Sequence, residues 1–404
     1  MSQSIIFLGR FIPPKLMLNA AADSKGTLGF SNHNFEMSLI HGLCHQNVDI
    51  SFVSMPGVFS YPQFNRKSFI HKEIFEFDGY PGCSIGYWNM VGINKFTRVF
   101  AGARTIITAV KNHKNNVSII INTPTTDLLL SVDIASKMLN RHIDTTLIIP
   151  DIPSMITSMN QNKGLKSRII NVMDHHSEKL AGKCDRLVLL TEQMKDYFSK
   201  EMPYMVMEGI VDVETMDLQS ISKSDIVPYF LYTGTLRKIF GVMDLVNAFE
   251  KSNLPDDMEL WICGSGDAAD DIRKHAAKNR KIKFLGLVDS KHALELQHNA
   301  FCLVNPRTSK GEFTKYSFPS KTMEYLLSGN PVIAHKLPGI PDDYDKYLIY
   351  PDNETISALA KTLSDLAAMP EERRTELGRA GRDFVISEKN SIAQTRRILD
   401  FINQ

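Results

Sequence analysis

The sequence predicts an α/β protein of two units, each a parallel β-sheet with helices on both faces. Short apolar, β-branched runs alternate with stretches of helical periodicity along the chain, and such alternation argues parallel strands joined by crossover helices. The plan restarts near residue 210, where a new strand–glycine–helix series begins. A length of 404 residues suits two domains, each large enough for its own core. The expected division is an N-terminal domain over 1–210, a C-terminal domain over 211–385 and a last helix over 386–404.

Ile5-Ile6-Phe7-Leu8-Gly9 reads as a buried strand stopped by a glycine. A polar loop carrying Gly26 and Gly29 follows, then Phe35, Leu39, Ile40 and Leu43 at helical spacing. Residues 48–53, 117–121, 146–149 and 186–190 are further strands, and Thr191 is placed to cap a helix over 192–198. In the second unit, Tyr229–Thr233 ends at Gly234 and leads into a helix through Val242, Leu245, Val246 and Phe249. Glu259–Cys263 ends at Gly264-Ser-Gly266, and strands over 282–285 and 300–304 flank a helix near 293–298. From Glu371 onward the chain reads as charged helix.

The stretch Tyr316 to Ala334 is the most informative. Pro319 suits a first helical position, since its missing N–H would be unpaired there. Met323, Leu326 and Leu327 form an apolar stripe; Gly329 stops the helix and Pro331 prevents its return. Val332-Ile333-Ala334 then reads as a strand covered on both faces. Helix N-termini attract anions, and Ser320 and Lys321 stand at this one. Glu324, one turn further in, can accept two hydrogen bonds from a ribose diol. A phosphate site beside a diol acceptor suggests a nucleotide-sugar pocket.

These residues resemble the retaining glycosyltransferases of the two-Rossmann-domain (GT-B) type, often called family 4, in a branch that builds bacterial surface polysaccharides. Family members carry a Glu, seven residues, a second Glu, a small-residue turn and a PVIA-like strand; Glu324 and Gly329-Asn-Pro-Val-Ile-Ala334 match the later part. The resemblance implies two Rossmann-like domains whose sheets face across a cleft, with a final helix crossing back to the first domain. It implies transfer of a sugar from a UDP- or GDP-sugar to a saccharide or lipid-linked acceptor with retention, and no required metal or cofactor. The first family Glu falls at Tyr316, which is then expected near the donor sugar. The family's diphosphate-binding Arg and Lys fall at Thr235 and Phe240; Arg237 and Lys238, between Gly234 and Gly241, are candidates to replace them together with Lys321. Gly264, Gly266, Gly26 and Gly29 are candidates for close backbone approach to the donor. Asp151, in Ile-Pro-Asp-Ile-Pro, is a candidate to orient the acceptor or take its proton, or a turn residue.

Composition excludes several classes. Net charge is +1, so bulk electrostatics does not point to nucleic acid. Residues up to 210 hold 21 Lys and Arg against 17 Asp and Glu, and the rest 25 against 28; the basic first half leaves room for peripheral contact with an anionic membrane face. Five scattered cysteines fit a reducing cytoplasm rather than a disulfide frame or zinc site, and no leader or membrane span is expected. Asp343-Tyr-Asp345 reads as a structural turn, and the adjacent His175 and His176 as packing residues. Residues 96–111 form a helix whose apolar side, Phe96, Val99 and Phe100, either faces the core or, with Arg98, Arg104 and Lys111, a membrane. The competing functions are a non-catalytic nucleotide-sugar-binding partner and a nucleotide-sugar epimerase of the same architecture.

Overall fold

The computed structural model describes residues 3–17, 30–64, 67–155, 165–198, 201–213 and 227–404. The chain divides into two compact units, Met1–Asp212 with Ser391–Gln404, and Val213–Asn390.

Unit 1 is built on an eight-stranded sheet, beside a two-stranded antiparallel one of Phe69–Ile70 and Tyr87–Trp88. Its elements are β1 Ser4–Gly9, α1 Phe30–Cys44, β2 Ile50–Ser54, β3 Ile74–Phe77, β4 Tyr80–Ser84, α2 Asn94–Asn112, β5 Val117–Asn122, α3 Thr126–Leu139, β6 Asp144–Ile149, α4 Leu165–Ala181, β7 Arg186–Leu189 and β8 Tyr204–Val206. The strand order is β8-β7-β6-β5-β1-β2-β4-β3. β1 is central and parallel to both neighbours, with Ile5 opposite Ile50 and Ser118. All six of its residues are buried, because helices cover both faces. One edge departs from the parallel plan, where β3 runs antiparallel to β4. Asp78 and Gly79 make that reversal at φ +48° and +86°, the two positive values a tight hairpin turn needs.

Phe7, Phe52 and Phe77 contact edge to face in the core of this unit, at centroid distances of 6.3 and 5.6 Å. The last helix, α11 Ser391–Ile402, completes the same core with Ile398, Leu399 and Ile402. It packs on α1: the Gln46 amide donates to Ile392 O at 2.9 Å and Thr395 Oγ1 at 3.1 Å. Gly42 permits the contact, since a Cβ there would overlap the Ser391 carbonyl. The expected helix after Thr191 is a 3-10 turn over Glu192–Tyr197, which the Thr191 side chain does not cap.

Unit 2 has a five-stranded, fully parallel sheet. Its elements are β9 Tyr229–Thr233, α5 Val242–Lys251, β10 Glu259–Cys263, α6 Ala269–Lys278, β11 Ile282–Gly286, α7 Ser290–Asn299, β12 Cys302–Asn305, α8 Lys321–Leu327, β13 Val332–Ala334, α9 Ile356–Ala367 and α10 Glu371–Glu388. The order is β11-β10-β9-β12-β13. α8 starts at Lys321 with Ser320 as its cap residue, so Pro319 precedes the helix instead of opening it. Gly329 does end it, at φ +78°. α10 packs so closely on that turn that a Cβ at Gly378 would overlap the Gly329 carbonyl.

Candidate functional site

Ligands of open α/β sheets gather at the carboxyl ends of the strands, and each unit carries its polar groups there. In unit 2 the ends of β9 and α8 are pinned by Tyr325. Its buried hydroxyl accepts from Thr233 N at 2.9 Å and donates to Thr233 O at 2.8 Å. Burial holds that phenol far above the ordinary tyrosine range. The preceding residue, Glu324, accepts from the Gln297 amide at 2.6 Å, and the same amide nitrogen reaches Thr233 Oγ1 at 3.0 Å. Lys321 Nζ lies 2.9 and 2.8 Å from the two Glu324 oxygens. The Lys321 chain also borders Gly234, whose built Cβ would lie 3.9 Å from Lys321 Cε. Thus the proposed diol acceptor and the proposed phosphate cation are partners of each other, beside the loop that follows β9.

Gly234 (φ +148°) and Gly264 (φ +136°) lie against each other: a Cβ at Gly264 would overlap the Gly234 carbonyl, and one at Gly266 the Leu236 carbonyl. The close approach these glycines permit is between two neighbouring loops, joined also by Leu236 N to Ser265 O at 2.8 Å. Lys238 turns aside to Asp271 at 2.6 Å; that pairing raises the lysine pKa and helps hold Asp271 at about 2. Arg237 stacks on Phe240 with its Cζ 5.6 Å from the ring centre. Arg307, just past β12, stacks on the same ring at 5.2 Å and on Phe313 at 4.7 Å. Burial pushes the Tyr232 phenol up to about 12, and the Arg307 charge pulls against that rise, which places Arg307 close to the end of β9. Ser320 is exposed, and Tyr316 ends a half-buried 3-10 turn, Glu312–Tyr316. Asp343 and Asp345 are bound by lysines, Asp343 to Lys389 at 2.9 Å and Asp345 to Lys336.

In unit 1, Asp151 follows the end of β6 and is half-buried. Gly26 and Gly29 lie outside the described residues. The dominant feature is a charge cluster without counterpart in the sequence reading. Asp127 sits between Arg10 at 3.1 Å and Arg98 at 3.2 Å. Burial acts to raise its pKa, but the two guanidiniums win and hold it well below the carboxylate range. Arg98 also donates to Pro56 O at 3.2 Å, so this residue of α2 faces inward. Glu36 is buried too, accepts from Arg10 N at 2.6 Å and is hydrogen-bonded by Asn122. Its desolvation outweighs those bonds and raises the carboxyl to about 7. Thr123 adopts φ +79° at the end of β5, a strained conformation for a β-branched residue, costing on the order of 1–3 kcal/mol.

Gln297 and Arg307 were invisible as site residues for different reasons. Gln297 lies on a different helix, 27 positions before Glu324, with no local motif. Arg307 comes two residues after the end of a legible strand, and that place was the available signal.

Residues 227–369 match the sequence model of the family described as glycosyl transferases group 1. No curated protein sequence matches the chain. Among solved structures, sucrose-phosphate synthase from Thermosynechococcus elongatus is 14% identical with a TM-score of 0.62, covering 100% of this chain and 99% of that one. Anabaena Alr3699/HepE in complex with UDP is 13% identical at 0.61, covering 99% and 100%. The α,α-trehalose 6-phosphate synthase of Burkholderia multivorans is 10% identical at 0.62, covering 100% and 98%. The chain therefore has the GT-B fold, two Rossmann-like domains of the kind glycosyltransferases use.

Proposed function

We propose that this protein is a retaining glycosyltransferase of the cytoplasm, taking a sugar from a nucleoside-diphosphate donor to a saccharide or lipid-linked acceptor in surface polysaccharide synthesis. The observation that carries the reading is the Thr233–Gln297–Glu324–Lys321 chain beside the Gly234 loop. Glu324, fixed from one side by Gln297, accepts the two ribose hydroxyls. Lys321, already next to that carboxylate and to Gly234, meets the donor diphosphate laid over the loop. Arg237 and Arg307, stacked on Phe240, add positive charge from that side in place of the Arg and Lys that related enzymes carry at the positions of Thr235 and Phe240. Ser320 and Tyr316 border the sugar end, and the backbone at Gly264 and Gly266 completes the donor site.

In the reaction, the bond between the anomeric carbon and the diphosphate oxygen breaks, and the cations stabilise the charge left on the diphosphate. The acceptor oxygen bonds to the same face, and its proton passes to the departing phosphate oxygen. Asp151, half-buried past the end of β6, is the acceptor-side candidate. A uridine donor is the first to test, since a protein of the same fold was solved with UDP.

Thermal unfolding against UDP, GDP, ADP, TDP and CMP tests the donor site. A nucleotide at a hundred times its Kd should add about 2.7 kcal/mol, several degrees in midpoint, and Glu324→Ala should abolish the shift. Silence from all five overturns the reading. A shift without any sugar transfer to saccharide or lipid-linked acceptors favours the non-catalytic alternative, which Tyr316, Thr235 and Phe240 motivate.

A further inference from the structure

α2 was expected either to bury its apolar side or to present it, with Arg98, to a membrane; the structure divides the helix differently. Val99, Ala103, Ile106 and Val110 go inward with Arg98. Phe96 and Phe100 stay outside, 68% and 66% exposed. They are not isolated. The loop entering α2 exposes Val91 to 78%, with Met90 and Ile93 also outside, and Trp88 is exposed at the end of the short strand before it. A second loop adds Phe59 and Tyr61. Hydrogen bonds hold the three stretches together: Tyr61 N to Asn89 O at 2.8 Å, the Asn94 amide to Ser60 Oγ at 2.8 Å, and Thr97 Oγ1 to Trp88 O at 3.2 Å. Eight large apolar side chains thus form one face of unit 1, more than scattered surface residues account for.

Charge identifies what the face meets. Residues 50–72 and 79–126 contain no Asp or Glu, while Lys95, Arg104 and Lys111 are exposed on α2. Phe96, Phe100 and Arg104 are spaced four apart, on one side of the helix. At 1.5 Å per residue, Arg104 sits about 6 Å beyond Phe100 and Lys111 about 16 Å beyond it. An aromatic end followed by cations at that height matches an acyl boundary followed by anionic headgroups. A second copy of this face would set its cations against themselves.

We propose that this face seats unit 1 on an anionic lipid bilayer. The proposal goes beyond sugar transfer and does not need it. The 404-residue chain is sedimented with vesicles of phosphatidylcholine alone and of phosphatidylcholine mixed with phosphatidylglycerol. It should pellet with the mixed vesicles, less so as salt rises. Phe96→Ser with Phe100→Ser should weaken partition about a hundredfold, about tenfold for each ring withdrawn, with an unchanged melting midpoint. Arg104→Glu with Lys111→Glu should erase the preference for charged lipid. The nucleotide-induced shift in melting should survive in both variants, so failure here is separable from failure of the donor site. Absence of pelleting, or pelleting that the serine variant retains, overturns the proposal. So does lipid-free self-association that the serine variant abolishes, which would make the face a contact between copies.

Discussion

A carboxylate held between two guanidiniums cannot be neutralised without leaving buried charge behind. Asp127→Asn should destabilise unit 1 by about 3–5 kcal/mol, read by denaturant unfolding, because Arg98 is then uncompensated. The pKa of Asp127 is depressed on folding, so its contribution is present above the unfolded carboxylate value and is lost as pH falls below about 4. Glu36 behaves oppositely. Its folded pKa of about 7 exceeds the unfolded value, so its contribution is full below about pH 4 and disappears as pH rises through about 7. Melting midpoints of wild type minus Glu36→Gln should therefore fall between about pH 4 and 7 and level off above; a flat difference would show that the burial effect is absent. At the proposed donor site, Gln297→Leu should weaken nucleotide binding about tenfold, since Glu324 loses its orienting donor. Calorimetric titration reads this, and unchanged affinity would remove Gln297 from the site. That Lys321 and Glu324 share one turn of α8 was legible, because their spacing is local. Gln297, Glu36 and Asp127 were not, because only the folded sheet brings them to their partners.

Elements depend on a few close backbone contacts. Gly378→Ala would drive a methyl group into the Gly329 carbonyl and force α10 away from α8. Unit 2 should lose about 1–3 kcal/mol as an overpacked contact, visible as a lower denaturation midpoint. Strand and helix identities were mostly readable, since runs such as Tyr229–Thr233 and Val332–Ala334 are short, apolar and buried on both faces. The β3–β4 hairpin was missed although its signal was present: Asp78-Gly79 directly follows the alternating Ile74-Phe75-Glu76-Phe77. Its strand ends on partly exposed residues, so it lacks the solid apolar run that marks the central strands. Thr191 failed as a helix cap for another reason: a cap residue cannot impose α geometry on a six-residue segment that closes as 3-10.

At the scale of the molecule, the chain is two cores joined by two crossings, at Asp212–Val213 and Asn390–Ser391. Unit 2 is continuous in sequence, whereas unit 1 is closed by α11, which comes after unit 2. Ile398, Leu399 and Ile402 supply part of the core that Phe7, Leu39 and Leu43 begin. During synthesis, then, the half that starts first finishes last. The β1–α1 layer must wait, with an apolar face open, until some 180 further residues have left the ribosome (Val213–Asn390), a long interval for a chain to be exposed to chaperones or to self-association.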